Sequence, residues 1–83
     1  MTMNENLKTY NSTFKEEFGI SDEQLENLSY QDVMEWDSVG HMGLMASLEE
    51  VFNIEMEIDD IIDFSSYQKG KEILAKYKIK LNE

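Results

Sequence analysis

The sequence predicts an all-α domain: a small four-helix bundle with three main helices, one short helix and a long loop between the first two main helices. Apolar residues recur three or four positions apart in three separate segments, as they do on one face of an α-helix. The chain has no proline to interrupt these segments. One alternating pattern, over residues 54–58, has no second strand to pair with. The 83 residues show no repeat or break in composition, so a single domain over 1–83 is expected.

The first helix is predicted over residues 3–18. Gly19 follows at a position where helices commonly end. The apolar face of this helix consists of Met3, Leu7, Tyr10, Phe14 and Phe18. Residues 20–36 lack a sustained period, so we expect a long loop with one helical turn that Ser21 and Gln24 cap.

The second main helix is predicted from Ser38 to Phe52, with its apolar residues in two stripes. The first stripe suits a core and consists of Leu44, Met45, Leu48 and Phe52. The second stripe consists of Val39, Met42 and Ala46. It is either a further part of the core or an exposed apolar patch near Ser38, and the sequence leaves both alternatives open.

The C-terminal part is predicted to contain a short helix and a long one. Residues 54–58 form an extended connector, and residues 59–64 form one helical turn with Ile61 and Ile62 directed inward. A last helix with apolar residues at helical spacing runs to about residue 78. Its start carries a capping-box pattern made by Ser65 and Gln68.

The net charge of −11 is concentrated in residues 21–63, which carry thirteen acidic residues and no lysine or arginine. This surface would repel phosphate backbones, so nucleic-acid binding is not expected. It would attract basic protein surfaces and speed the encounter with them. The alternative is a well-solvated surface that only keeps a small protein soluble.

The composition excludes several kinds of site. The chain has no cysteine and one histidine, so no metal site and no Ser-His-Asp site are expected. The lack of cysteine fits a reducing cytoplasm. No leader-like segment and no apolar run of membrane-spanning length occurs, so we expect a cytoplasmic protein without membrane insertion.

Asp37 and Ser38 stand at the predicted start of the second main helix. A phosphate on the Ser38 hydroxyl would lie at the positive end of the helix dipole, beside backbone N–H groups that lack a helical partner. Ser38 is therefore a candidate site for covalent attachment of a phosphorylated group. The alternative is that the pair only caps the helix, because aspartate and serine are both preferred caps.

The arrangement of motifs over nearly the whole chain resembles the acyl carrier protein family, also called phosphopantetheine-binding carrier domains. Asp37-Ser38-Val39 matches the attachment motif of this family, and residues 48–52, Leu-Glu-Glu-Val-Phe, match the end of its second helix. The resemblance implies that a phosphopantetheinyl transferase transfers 4′-phosphopantetheine from coenzyme A to Ser38. It also implies that Asp37 helps to hold Mg²⁺ and the transferred phosphate during that reaction.

The resemblance further implies a non-catalytic shuttle, expected to be a monomer, that carries acyl or aminoacyl groups as thioesters on the thiol of this arm. Its partners would be loading and acceptor enzymes with basic docking surfaces, in lipid or secondary-metabolite biosynthesis. The residues read by these partners would be Val39, Met42, Glu49 and Glu50. For the two glutamates, the alternative is an ordinary solvated helix face.

Four residues depart from the pattern of fatty-acid-synthesis carriers: Trp36, Gly40, His41 and Gly43. The departures favour a free-standing, specialised carrier that serves a polysaccharide, aminoacyl or secondary-metabolite pathway. His41 lies one turn after Ser38, so it either contacts the phosphate or is an exposed helix residue. The competing hypothesis for the whole chain is a non-covalent acidic protein-interaction module in which Ser38 is only a helix cap.

Overall fold

The computed structural model describes residues 4–81, which form five α-helices and no strand. In chain order these are α1 Glu5–Phe18, α2 Asp22–Leu25, α3 Ser38–Phe52, α4 Ile58–Asp63 and α5 Tyr67–Lys76. The all-α prediction is confirmed for this part of the chain. The helix count is five rather than four because the turn expected inside the first loop forms α2. Met3, predicted to belong to the first helix, lies outside the described residues.

Side-chain caps and left-handed residues fix the ends of the two longest helices. The side-chain oxygen of Asn4 accepts hydrogen bonds from the N–H groups of Asn6 and Leu7 at the start of α1. Gly19 (φ 64°) ends α1 and Asn53 (φ 56°) ends α3, both in the left-handed region. Glycine and asparagine adopt left-handed backbone angles at a lower free-energy cost than other residues. Both helices therefore end at a residue type that favours this conformation.

The cap of the last helix lies one residue later in the chain than predicted. Ser66, rather than Ser65, is the cap, and its hydroxyl oxygen accepts the N–H of Lys69 at 2.9 Å. Two consecutive serines offer almost the same capping pattern, so the sequence did not distinguish them. Gln68 donates instead to the carbonyl of Glu26 at 3.2 Å, which joins α5 to the residue after α2. The helix also ends two residues before the predicted position.

Backbone hydrogen bonds hold the segment between α2 and α3 against the start of α5. The N–H of Tyr30 donates to the carbonyl of Ser65, and the N–H of Tyr67 donates to the carbonyl of Leu28, each at 2.9 Å. Further along, the N–H of Gln31 donates to the carbonyl of Trp36 at 3.1 Å. The predicted long loop is therefore an ordered segment that leads directly into α3.

Aromatic rings from α1, from the loop and from α5 form the centre of the core. Phe14 lies edge-on to Tyr10 and to Trp36, with ring centroids 5.0 and 5.5 Å apart. Trp36 also stacks on Phe18 at 5.3 Å and is fully buried. The hydroxyl of Tyr10 donates to the carbonyl of Tyr67 at 2.7 Å, which satisfies its polar end inside the core. The residue just before the Asp-Ser pair is thus anchored in the protein interior.

The short helix α4 differs from its prediction in its bounds, Ile58–Asp63 rather than 59–64, and in the orientation of one side chain. Ile61 is half-buried, but Ile62 is exposed, because adjacent residues of a helix point to different sides. The predicted inward orientation of Ile62 is therefore wrong. None of the helices described over residues 4–81 has the length and apolar character needed to cross a membrane.

Candidate functional site

Asp37 and Ser38 have different roles at the start of α3. Asp37 is the cap: its Oδ1 accepts the N–H of Gly40 at 2.8 Å, and its carbonyl accepts the N–H of His41 at 2.7 Å. Ser38 is the first residue of the helix and is exposed. Within residues 4–81, its hydroxyl has no hydrogen-bond partner. The capping alternative therefore applies to Asp37, and the Ser38 hydroxyl is left accessible to solvent.

Gly40 allows the preceding loop to approach the first turn of α3 closely. A Cβ atom built on Gly40 would lie 1.9 Å from the carbonyl oxygen of Glu35, a backbone atom that cannot move independently. Glycine in a helix costs about 1 kcal/mol relative to alanine, so a helical glycine often has a packing reason. In the sequence Gly40 was only a departure from a family pattern, whereas the structure shows that it shapes the turn beside Ser38.

A groove of about 400 Å³ opens next to Ser38, between the start of α3 and α4. Most of its wall is apolar, and it is lined by Tyr30, Ser38, His41, Met42, Ile61, Ile62, Phe64 and Ser65. The two walls come from segments about twenty residues apart in the sequence, so sequence reasoning could not assemble it. An apolar groove with a few polar groups at its edge is typical of a site that binds part of a small molecule.

His41 is not the exposed helix residue that was one of the two alternatives from the sequence. It is half-buried, and both of its ring nitrogens have partners. The indole N–H of Trp36 donates to Nδ1 at 2.9 Å, and Nε2 lies 2.8 Å from the carbonyl oxygen of Ile61. The ring also stacks on the indole, with centroids 6.1 Å apart. His41 therefore connects the loop, α3 and α4.

The second apolar stripe of α3 is exposed, which settles the alternative that the sequence left open. Val39 is 80% exposed and Met42 is 56% exposed. Exposed apolar residues outside this stripe, which were not identified from the sequence, include Met34 in the loop, at 91%, and Ile58 and Ile62 on α4, at 73% and 71%. Met42 and Ile62 line the same groove, and exposed apolar side chains that lie together commonly mark interaction surfaces.

The two glutamates near the end of α3 are not equivalent. Oε2 of Glu49 accepts the N–H of Met56 at 2.9 Å, and the side chain is half-buried. Glu49 therefore holds the connector that follows α3. Glu50 is exposed, and within residues 4–81 its carboxylate has no hydrogen-bond or ion-pair partner. Of the two, Glu50 is the one whose charge faces solvent freely.

A buried carboxylate holds α4 from the other side. Asp60 accepts hydrogen bonds from the ammonium of Lys76 and, at 2.6 Å, from the hydroxyl of Tyr77. The hydrogen bonds from these two groups hold the pKa of Asp60 below its usual value. The pKa of Lys76 is raised in turn, because its hydrogen bond to Asp60 favours the charged ammonium. This network fixes α4 on the end of α5.

The described residues contain no cluster of three or more His, Asp or Glu side chains suited to a metal ion. No protein-family model matches the chain, and no curated protein matches it. The geometry around Ser38 therefore carries the functional argument. That geometry combines an accessible hydroxyl at a helix start, an adjacent carboxylate and an apolar groove.

Proposed function

We propose that this chain is a carrier protein whose Ser38 hydroxyl receives 4′-phosphopantetheine from coenzyme A. The protein presents acyl or aminoacyl groups, bound as thioesters, to separate enzymes. One observation carries the proposal: Ser38 is the exposed first residue of α3, and Asp37 rather than Ser38 caps the helix. The Ser38 hydroxyl can therefore be modified without loss of a helix cap.

The residues at the start of α3 fit a phosphodiester. The first N–H groups of a helix have no intrahelical acceptor, and the helix dipole favours negative charge at this end. In the attachment step the Ser38 oxygen bonds to the phosphorus, 3′,5′-adenosine diphosphate leaves, and the hydroxyl proton passes to the transferase. When bound, the arm supplies a terminal thiol that holds the cargo as a thioester. The chain itself has no cysteine thiol.

Asp37 has one carboxylate oxygen available for the second role that we propose for it. Its Oδ1 caps the helix through Gly40. Oδ2 has no hydrogen-bond partner among the described residues, and the side chain is exposed. Carboxylate oxygens are preferred Mg²⁺ ligands, and the free Oδ2 supports the proposal that Asp37 helps to hold the metal and the transferred phosphate within the transferase complex.

The surface around Ser38 supports docking of basic enzymes. Val39 and Met42 offer apolar contacts on α3, and Ile62 offers one on α4. The segment 21–63, which contains α3 and α4, has thirteen acidic residues and no lysine or arginine, so its own side chains would attract a basic rim on the partner. Within the proposal Glu50 contributes charge to docking directly, and Glu49 contributes while also holding the connector.

The remaining parts of the proposal concern the fold and the setting. If α2 is treated as a turn of the loop, then α1, α3, α4 and α5 are the four helices of a carrier bundle. The departures from the fatty-acid-synthesis pattern at Trp36, Gly40, His41 and Gly43 support a specialised, free-standing carrier. We place it in the cytoplasm as a monomer.

Loading by a transferase tests the attachment site. The protein is incubated with coenzyme A, Mg²⁺ and a promiscuous phosphopantetheinyl transferase, and the intact mass is measured. We expect a gain of one phosphopantetheine in the wild type and none in Ser38→Ala. Ser65→Ala is the matched control, because Ser65 is an exposed serine that lines the same groove. A wild-type protein that gains no mass, or a gain that persists in Ser38→Ala, contradicts the proposal.

Two substitutions of Asp37 separate its cap from its carboxylate. Asp37→Asn keeps a good cap, whereas Asp37→Ala costs about 1 kcal/mol of stability. We expect both variants to be loaded at least tenfold more slowly, while only Asp37→Ala shows a lower urea midpoint. Loading of Asp37→Asn at the wild-type rate would restrict Asp37 to its capping role.

The competing proposal is the non-covalent acidic interaction module. The exposed apolar side chains Val39, Met42 and Ile62 among acidic residues would also serve such a module. The two proposals differ in the expected behaviour of the wild type and Ser38→Ala. The module predicts that Ser38→Ala binds a basic partner as the wild type does and that neither protein gains mass in the loading reaction.

A further inference from the structure

His41 is the one described residue that links the helix of Ser38 to α4 by a side-chain hydrogen bond. It lies three positions after Ser38, on the same side of α3. Its partners come from two other segments, Trp36 in the loop and Ile61 in α4. Within residues 4–81, no other side chain of α3 forms a hydrogen bond with a residue of α4.

The two partners of His41 determine where its proton lies. The indole N–H of Trp36 can only donate, so Nδ1 of His41 must be an unprotonated acceptor. The carbonyl of Ile61 can only accept, so Nε2 must carry the hydrogen. The bridge is complete only in the neutral Nε2–H tautomer, which makes that tautomer a measurable signature of the bridge.

The helix that His41 holds needs outside contacts to stay formed. α4 has six residues, which is too short for an isolated helix to be stable in water. On the side of α5 it is held by Asp60, through Lys76 and Tyr77. On the side of α3 it is held by the bond from His41 to Ile61. Loss of this bond leaves α4 attached mainly to α5.

The position of α4 determines the shape of the groove beside Ser38. Met42 lines one wall, and Ile61 and Ile62 line the other, with His41 between them. Met42 on α3 and Ile62 on α4 are lining residues that are also exposed, at 56% and 71%. A fixed distance between α3 and α4 therefore keeps the residues that line the groove in one arrangement before any enzyme docks. Preorganisation of this kind lowers the cost of binding.

We propose that His41 is a positioning residue: by bridging Trp36 and Ile61, it holds α4 against the start of α3, so that the surface on both sides of Ser38 is preformed for the transferase. This inference rests on the proposed carrier function for its kinetic consequence only. The bridge and its effect on α4 are properties of the protein alone and can be measured without loading.

The test compares His41→Leu with His41→Gln in the full chain. Leucine can form neither hydrogen bond, whereas glutamine can accept from Trp36 and donate to Ile61. Nitrogen-15 spectra of wild-type His41 should show the neutral Nε2–H tautomer. In His41→Leu, the amide hydrogens of residues 61–63 should exchange at least tenfold faster than in the wild type. The amides of α1 should change less, and His41→Gln should restore much of the α4 protection.

The transferase provides the second measurement. For His41→Leu we expect KM for the carrier to rise about fivefold, the change that roughly 1 kcal/mol of lost docking free energy gives. The value of kcat should stay near that of the wild type, and His41→Gln should lower KM again. The inference is overturned by an Nδ1–H tautomer, by equal exchange changes in α1 and α4, or by an unchanged KM. If the wild type is not loaded at all, the proposed function fails, and the exchange data alone decide whether His41 positions α4.

Discussion

The interior between α1 and α5 and the surface between α3 and α4 are both rich in apolar side chains, but only the interior is closed. In the interior, Phe14 contacts several rings and is fully buried. Near Ser38, by contrast, Val39 and Met42 are largely exposed beside an open groove. Exposure of apolar side chains has a free-energy cost that the interior avoids. The difference shows that the aromatic core excludes solvent, whereas the surface beside Ser38 leaves apolar side chains in contact with it.

Alanine substitutions in the aromatic interior and on the surface beside Ser38 should differ most in their effect on the free energy of unfolding. Phe14→Ala should lower the free energy of unfolding by about 3–5 kcal/mol, because it leaves a cavity in the aromatic core. Val39→Ala should change it by less than about 0.5 kcal/mol, because Val39 is exposed. Urea denaturation measures both. A loss of several kcal/mol in Val39→Ala would show that this side chain belongs to the core.

Two glycines of α3, Gly40 and Gly43, sharpen the comparison on the side of Ser38. Alanine at either position gains about 1 kcal/mol in helix propensity. In Gly40→Ala the new Cβ meets a backbone carbonyl at 1.9 Å, so we expect a net loss of about 1–3 kcal/mol. In Gly43→Ala it meets only the end of the flexible Glu17 side chain at 2.6 Å, so stability should stay level or rise. Thermal melts of the two variants check this, and equal behaviour would contradict the close approach at Gly40.

Asp60 provides the smallest of the three effects on stability, and this effect depends on pH. Its pKa is lower in the folded protein than in the unfolded chain, so its carboxylate stabilises the fold above the ordinary pKa of about 3.9. That contribution is lost as the pH falls through the lower folded-state pKa. Asp60→Asn should therefore cost about 1 kcal/mol near neutral pH and progressively less in acid. Lys76, whose pKa is raised, contributes until the pH rises above about 10.4.

Urea midpoints of the wild type, Asp60→Asn and Asp59→Asn over a series of pH values test this prediction. Asp59 is the exposed neighbour and serves as the matched control. A constant difference between wild type and Asp60→Asn at all pH values would show that the charge of Asp60 does not stabilise α4.

The sequence predicted the long helices well because their signals are local. The spacing of Tyr10, Phe14 and Phe18 predicts α1, and the predicted bounds of α3 match those observed. The burial of Trp36 was not predicted, because it lies in a segment without periodicity. The bond from His41 to Ile61 joins residues twenty positions apart, and no local pattern reports such a contact.

At the candidate site, the sequence singled out Asp37 and Ser38 but did not distinguish their roles at the start of α3. Aspartate and serine are both good helix caps, so Asp37 and Ser38 could not be distinguished by propensity. The structure distinguishes them through the 2.8 Å hydrogen bond from Gly40 to Asp37. The groove and the exposure of Met34 and Ile62 required the relative placement of α3, α4 and the loop.

The central claim is that Ser38 is the attachment point of a phosphopantetheine arm. The most direct measurement is fragment mass spectrometry of the wild-type protein after incubation with coenzyme A, Mg²⁺ and the transferase. We predict that the added mass lies on Ser38 and on no other serine, including Ser65 in the same groove. An unmodified Ser38, with no added mass on the protein or with the mass on another residue, would contradict the account.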